Sequence, residues 1–153
     1  MTDSHWSALL PPLRWLGYGG LIPFAALALG SWLITDPASQ ALSLDLLRGY
    51  GLAIVSFVGA ISWGIALVLA GIDDARRTRL VVWSVVPSLM GFASVALPAR
   101  TGCIALAATA LIALTVDLRI ARTLALPGAW RQLRVHLSLG AVGALLLGAY
   151  AAK

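Results

Sequence analysis

The sequence predicts an all-α membrane protein, a bundle of five transmembrane helices with its N-terminus inside and its C-terminus outside. Hydrophobic residues make up 60% of the 153 residues and charged residues only 11%, against roughly 25% charged in an average globular chain. Dividing the chain at its charged residues leaves uncharged stretches of 21, 24, 20, 16 and 18 residues. About 20 apolar residues span the hydrocarbon core of a bilayer as a helix.

The five stretches predict one transmembrane domain covering residues 1–153, with helices at about 13–35, 44–72, 79–98, 101–121 and 131–152. The fourth reaches spanning length only if its helix continues through Asp117. None of the stretches alternates with a period of two, and backbone groups in lipid must be hydrogen-bonded internally, so helices are favoured over strands. The first stretch is longer than the apolar core of a secretory signal, and we expect it to be retained.

Polar residues between the stretches predict where the helices end. Asp36-Pro37 closes the first helix, and Ser43 with Asp45 is expected to cap the start of the second. Asp74 or Thr78 is expected to cap the third helix. The connections are short, so we expect no extramembrane domain.

The charge distribution predicts the orientation. The net charge is +5, but the basic residues form short clusters between apolar runs rather than one patch, so we expect no nucleic-acid partner. The positive-inside rule places the richer side in the cytoplasm. Eight arginines fall on the side of the N-terminus and three basic residues on the other: Arg14, Arg76, Arg77, Arg79, Arg119, Arg122, Arg131 and Arg134 against Arg48, Arg100 and Lys153.

The reactive residues are few. Cys103 is the single cysteine and the sequence has no glutamate, so no disulfide, no zinc or iron–sulfur spacing and no paired-glutamate metal site is expected. No nucleophile–base pair or phosphate loop is present. We therefore expect a protein that is not an enzyme, and the sequence leaves any cofactor open.

Four residues of the first two helices are candidates for ligand binding. Tyr18 and Phe24 flank a Gly-Gly-Leu-Ile-Pro segment that predicts a bent or broken first helix. Trp63 lies far inside the second helix beside Ser62, where its ring could stack on a ligand. The alternative is structural: an irregular helix start packed on a neighbour, and an indole whose N–H bonds a nearby acceptor.

Asp117 is the one ionisable residue expected inside a helix boundary, and membrane carboxylates are functional candidates. A short hairpin brings it near Arg131 or Arg134, which favours an interfacial ion pair over a proton or anion relay. Small residues spaced by four predict close helix packing on the second and fifth helices. They are Ser56, Ala60 and Gly64, and Gly140, Ala144 and Gly148.

Several motifs carry a family resemblance over nearly the whole chain. They are the segment from Gly17 to Phe24, Tyr50, the segment from Ser56 to Gly59 leading to Trp63-Gly64, Pro87, and Asp117 ahead of residues 130–134. Together they resemble the domain-of-unknown-function 3429 family, which includes a mitochondrial transmembrane protein 69. The resemblance implies a five-helix inner-membrane protein, bacterial or mitochondrial, and no established activity. Many members have His where this chain has Ser62, which weakens proton or metal chemistry there.

Three functions remain open. The first is an accessory or assembly subunit that packs against another membrane protein or itself in the bilayer. The second is a binder or carrier of a lipid, quinone or tetrapyrrole between the first three helices. The third is a small transporter that uses Asp117 and the arginines of the inside face.

Overall fold

The computed structural model of the protein describes residues 3–124 and 126–152. They form α1 (Asp3–Gly19), α2 (Leu21–Leu33), α3 (Pro37–Val68), α4 (Asp74–Val95), α5 (Ala99–Thr123) and α6 (Gly128–Ala151). In the ranges described there is no strand. Five segments there are long and apolar enough to cross a membrane: α1 with α2 (from Ala8 to Leu33), α3, α4, α5 and α6. The predicted class, an all-α bundle with five spans, is confirmed.

The first span is two helices, because the helical pattern is interrupted at Gly20. The Gly20 backbone N–H still donates to Leu16 O at 2.9 Å, and the φ and ψ of Gly20, −65° and −16°, stay in the helical region. Pro23 has no N–H to give to the carbonyl of Gly19, which weakens the helix at this point. The Tyr50 hydroxyl donates to Gly20 O at 2.9 Å. The break is therefore tied directly to the second span.

The second span starts earlier than expected, at Pro37 rather than near residue 44. Asp36 is the N-cap: its carboxylate accepts the Ser39 N–H at 2.8 Å, and Pro37 fits the first helical position. Ser43 instead is buried and donates to Leu27 O of α2. Asp45 pairs with Arg48 one turn later. The expected cap at Ser43 and Asp45 is corrected to Asp36.

The turn from α3 to α4 also differs from the prediction. Asp73, not Asp74 or Thr78, caps α4, its carboxylate accepting the Arg76 N–H at 2.7 Å. α3 ends at Val68, four residues before its predicted end, and Gly71 reverses the chain with φ of +78°. The Arg77 guanidinium donates to carbonyls in the last turn of α3.

The core lies between α2, α3, α5 and α6. Its members are Phe24, Ala28, Leu47, Val55, Cys103, Leu106, Ala107, Ala110, Ala141, Val142, Leu145 and Ala149. α4 packs outside this core against α3 and α5. Its contact with α3 is close because Gly59 leaves room for the Pro87 ring and the Ser84 carbonyl, and a Cβ at Gly59 would lie 2.6 Å from that oxygen.

Arg48 is buried at the bundle end where α4 gives way to α5. Its Nη2 donates to the carbonyls of Ser94, Val95 and Leu97 at 2.6–3.2 Å, and its Nη1 lies 3.2 Å from the Asp45 carboxylate. The side chain is only 9% exposed. A guanidinium therefore occupies the C-terminal end of α4, where the helix leaves carbonyls without intrahelical partners.

Candidate functional site

A cavity of about 540 Å³ opens on the side of the bundle between the first and second spans, and we call it the lateral cavity. On opposite walls, Leu16 is 77% and Phe57 70% exposed, so the cavity faces the lipid. It is lined by Leu13, Leu16, Gly17, Gly20, Leu21 and Phe24 of the first span, Tyr50, Gly51, Ile54, Val55, Phe57, Val58 and Ile61 of α3, Ala110 and Ala113 of α5, and Trp130, Leu133, Arg134, Leu137, Ser138, Ala141 and Leu145 of α6.

The cavity exists because α1 leans away from α3. In the described chain, α1 contacts α6 and α2 but not α3. Gly17 allows the approach to α6, since a Cβ there would lie 2.7 Å from Leu137 Cδ1. The break at Gly20 lets α2 return to α3, where the Phe24 and Tyr50 rings pack edge to face with centroids 4.9 Å apart. The aromatic pair closes the cavity on that side.

A buried ion pair forms the polar part of the cavity wall. Arg134 Nη2 and Nε lie 2.8 and 2.9 Å from Asp117 Oδ2, and Nη1 donates to Ser138 Oγ at 2.6 Å. The side chains of Arg134 and Asp117 are 11% and 8% exposed. Arg134 and Ser138 line the lateral cavity, whereas Asp117 stands behind them. An apolar chamber with one fixed polar corner can hold a hydrophobic molecule and orient a polar group on it.

The four ligand-binding candidates do not come together. Phe24 alone lines the lateral cavity. The Tyr18 hydroxyl lies 3.0 Å from His136 Nδ1, Ser62 is 2% exposed, and Trp63 is 51% exposed on the outside of α3. The cavity is formed by the first, second, fourth and fifth spans, not by the first three, because α4 packs on the far side of α3. The expected location is therefore corrected.

Of the two arginines that were candidates for pairing with Asp117, the structure uses one. Asp117 is joined to Arg134, and among the described residues Arg131 forms no salt bridge. Arg131 follows Gly128 by one turn, and its Nη2 would lie 3.9 Å from a Cβ on Gly128. Its Nε is buried without a hydrogen-bond partner in the described chain. The pair therefore uses the arginine whose helical position points at α5.

The small-residue stripes differ between the two helices. On α6, Gly140 packs against Leu21 and Gly148 against Leu47, and Ala144 is half-buried beside the core. On α3, Ser56 is half-buried, while Ala60 and Gly64 are exposed and no atom lies within 4 Å of a Cβ built on Gly64. Within the bundle, Gly59 makes the close contact of α3, and close packing at Ala60 and Gly64 stays a prediction for a helix outside it.

The residues that sequence reasoning did not connect with the site include apolar residues of the first two spans and most of those on the last two spans. Ala110 and Ala113 leave the space on α5, and Ser138 follows Arg134 by one turn. The spacing of Ser138 four residues after Arg134 could have predicted a polar corner on α6, since positions i and i+4 share a helix face. The small side chains of α5 offered no such signal, because alanine is common in transmembrane helices of any role.

These features define a multi-pass helical membrane protein with a lipid-facing apolar cavity. The family described as "Protein of unknown function (DUF3429)" matches residues 10–150. The protein belongs to this family, as the motifs of its first two spans predicted. No curated protein and no solved structure matches the chain.

Proposed function

We propose that the protein is a non-enzymatic membrane protein that binds a hydrophobic small molecule, a lipid, quinone or tetrapyrrole, in the lateral cavity. The observation that carries the proposal is the cavity itself. Its volume of about 540 Å³ falls in the range of ligand pockets, roughly 300–1,000 Å³. Transport through Asp117 has less support, because its carboxylate is engaged by Arg134.

The chemistry of the walls supports an amphipathic ligand. Apolar side chains from four spans would surround its hydrophobic part, and Ser138 with the Arg134 guanidinium offers hydrogen bonds at one corner. Because Asp117 already neutralises Arg134, this corner suits a neutral carbonyl or hydroxyl group better than a full negative charge. The opening beside Leu16 and Phe57 would admit such a molecule directly from the bilayer.

Filling the cavity tests the proposal. Val58→Trp places a large ring in the cavity wall, and the matched control, Val85→Trp, adds the same ring on the exposed face of α4. Decylubiquinone, oleyl alcohol and a free-base porphyrin are added one at a time. We expect at least one of them to raise the unfolding temperature of the wild type and of Val85→Trp but not of Val58→Trp. A ligand at a hundred times its Kd stabilises by about 2.7 kcal/mol.

Two results would contradict ligand binding. One is that no probe raises the unfolding temperature of the wild type above a detergent blank. The other is that Val58→Trp and Val85→Trp respond to the probes equally. Solvent extraction of the three purified proteins, followed by mass spectrometry, gives an independent readout: the lipid-soluble compound retained by the wild type should be lost from Val58→Trp only.

A second candidate, an accessory or assembly subunit, is favoured by the outer face of α3. Phe57, Ala60, Trp63 and Gly64 are all exposed there, and a small-residue surface lets another helix approach closely in lipid. The occupant we propose is a transmembrane helix of a partner protein. Gly64→Leu should abolish stoichiometric co-purification of that partner from mild detergent, whereas Gly143→Leu, at an equally open glycine of α6, should not.

The same experiment separates a partner from self-association. Loss of a homodimer in Gly64→Leu would replace the partner protein by a second copy of this chain. Retention of every complex in Gly64→Leu would remove the accessory role.

We further propose that the protein lies in an inner membrane with its N-terminus inside. The support is the excess of arginines at one end of the spans. In a Cys103→Ala background, cysteines are introduced at the exposed Ser39, near the start of α3, and at the exposed Ala75, near the start of α4. These two positions lie on opposite sides of the membrane. A membrane-impermeant maleimide applied to intact spheroplasts should label the Ser39→Cys variant and not the Ala75→Cys variant, and the reverse pattern would invert the orientation.

A further inference from the structure

A second cavity, of about 320 Å³, lies between the start of α4 and the end of α5, and we call it the arginine groove. Arg76, Arg79 and Arg119 line it together with Leu80, Trp83 and Ile120. It is separate from the lateral cavity and shares none of its residues. The proposed ligand of the lateral cavity leaves this groove unexplained.

The charge of the groove is not balanced by the protein. None of its three arginines forms a salt bridge with a described residue, and no carboxylate lines it. Asp73 lies at the turn before α4, where its carboxylate accepts the Arg76 backbone N–H. Asp117, which follows the lining residue Val116, is paired with Arg134. Three arginines that line one cavity from two helices attract a polyvalent anion, and arginine suits phosphate because it can donate two parallel hydrogen bonds.

The groove also contains a hydrogen-bond donor without an acceptor. The indole Nε1 of Trp83 is buried and has no partner in the described chain. A buried donor left unpaired costs free energy, and tryptophan N–H groups usually find an acceptor. An oxygen atom that reached Nε1 from the groove would supply that acceptor.

The apolar part of the groove and its depth indicate what carries the anion. Leu80 is 7% exposed and lies one turn after Arg76, with Ile120 facing it from α5. α4 begins at Asp74 and α5 ends at Thr123, so the groove lies at the membrane end of the two spans. Its apolar wall extends deeper than the arginines, because Trp83 lies one turn beyond Arg79 on α4 and Val116 about one turn inside Arg119 on α5. A soluble phosphate ion would use only the arginines, whereas a phospholipid would also cover the apolar wall.

We propose that the arginine groove binds the phosphate headgroup of an anionic phospholipid in the leaflet that faces the arginine-rich end of the bundle. Basic pockets between transmembrane helices on that side bind such headgroups in general, and each arginine near an anionic surface contributes to the attraction. The proposal is independent of the lateral cavity and holds whether or not that cavity takes a ligand.

The test uses the full chain in mixed micelles at physiological salt. Binding of phosphatidylglycerol is compared with phosphatidylcholine for the wild type, for Arg79→Gln/Arg119→Gln, and for Arg14→Gln/Arg122→Gln, which removes two exposed arginines outside the groove. We expect the wild type and the Arg14→Gln/Arg122→Gln control to prefer phosphatidylglycerol. The Arg79→Gln/Arg119→Gln variant should bind it about tenfold or more weakly.

Three results would overturn the proposal. They are an absence of phosphatidylglycerol preference in the wild type, an equal loss in both double variants, and complete displacement of phosphatidylglycerol by an equal concentration of inorganic phosphate. The second would mean a diffuse surface charge, and the third would assign the groove to a soluble phosphate. All three proteins are first compared by their unfolding temperatures, and if Arg79→Gln/Arg119→Gln is unfolded, Arg119→Gln alone is compared with Arg122→Gln.

Discussion

Two arginines of this protein are buried at opposite ends of the bundle, and their surroundings differ. Arg134 on α6 faces a carboxylate, with Nη2 2.8 Å from Asp117 Oδ2. Arg48 on α3 faces the carbonyl groups that end α4, and the carboxylate paired with it, Asp45, is 66% exposed. One cation is held by a buried counter-charge, and the other by the dipoles of a helix end.

The comparison shows two ways to place a guanidinium where water is scarce. A buried ion pair is neutral as a unit, but each member depends on the other. A helix C-terminus carries a partial negative charge and free carbonyls, so Arg48 also satisfies backbone groups that would need partners without it. Loss of Arg134 should therefore leave a buried charge without its counter-charge, whereas loss of Arg48 should leave a helix end and the α4–α5 turn without their donor.

The largest expected effect is on the ion pair. Arg134→Leu leaves the Asp117 carboxylate buried alone, and Asp117→Leu does the same to the guanidinium. Breaking a buried pair from one side costs about 3–5 kcal/mol, whereas replacing both members by apolar residues is often close to neutral. Each single variant should be strongly destabilised, and Asp117→Leu/Arg134→Leu should regain most of the loss. Denaturation in mixed micelles measures all four free energies of unfolding.

A double variant as unstable as either single one would contradict this reasoning. It would mean that the pair has a role in packing beyond mutual neutralisation, for instance through the hydrogen bond from Arg134 to Ser138.

The next effect concerns Arg48. Arg48→Leu keeps an apolar side chain but removes the donor from the carbonyls of Ser94, Val95 and Leu97. Unpaired buried carbonyls cost about 1–3 kcal/mol, and we expect a total loss at the upper end of that range. Arg48→Lys, which keeps one donor group and the charge, should lose less.

Arg100 is the matched control for Arg48, because it lies at the same end of the bundle and is exposed. Arg100→Leu should leave the free energy of unfolding nearly unchanged. Equal losses in Arg48→Leu and Arg100→Leu would show that net charge at this end, rather than the helix-end contacts, is what matters.

A smaller effect is expected at Gly102, which gives Arg48 its space. A Cβ at this position would lie 2.8 Å from Arg48 Nε and 2.7 Å from the Ser94 carbonyl oxygen. Gly102→Ala should therefore destabilise the protein by about 1–2 kcal/mol. In an Arg48→Ala background the cost should fall but not vanish, because the Ser94 backbone remains. Equal costs in both backgrounds would show that Arg48 does not set the limit.

The sequence predicted the five spans because a bilayer imposes one length on any uncharged helix, and that constraint is visible in the spacing of charges. It did not predict which way each helix faces. Trp63 and Gly64 lie on the exposed side of α3, which their residue types do not indicate, because residues that face lipid and residues that face protein are both apolar. Hydrophobic periodicity, which orients a helix in water, carries little information there.

Arg48 was missed for a related reason. It was counted as one of three basic residues on the sparse side, near the start of a helix expected from about residue 44. The structure starts α3 at Pro37, eleven residues earlier, so Arg48 lies three turns inside a helix. Asp117, in contrast, lies only 17 residues before Arg134, across a short hairpin. This proximity along the chain was enough to suggest the contact.

The smallest effect should appear at Asp36, which caps α3 outside the spans. The hydrogen bonds to Ser39 hold the pKa of the Asp36 carboxyl below its ordinary value. A carboxyl whose pKa is lower in the folded state contributes stability above its unfolded pKa, near about 4. That contribution is lost as the pH falls through the lowered folded pKa, and it is constant at neutral pH.

Asp36→Asn, which keeps a capping oxygen without the charge, should flatten the acid side of a plot of unfolding temperature against pH. Asp74→Asn, at an exposed carboxyl in the first turn of α4, is the control. If the unfolding temperature fell more steeply with acid in Asp36→Asn than in the wild type, the hydrogen bonds from Ser39 would not favour the charged form of Asp36.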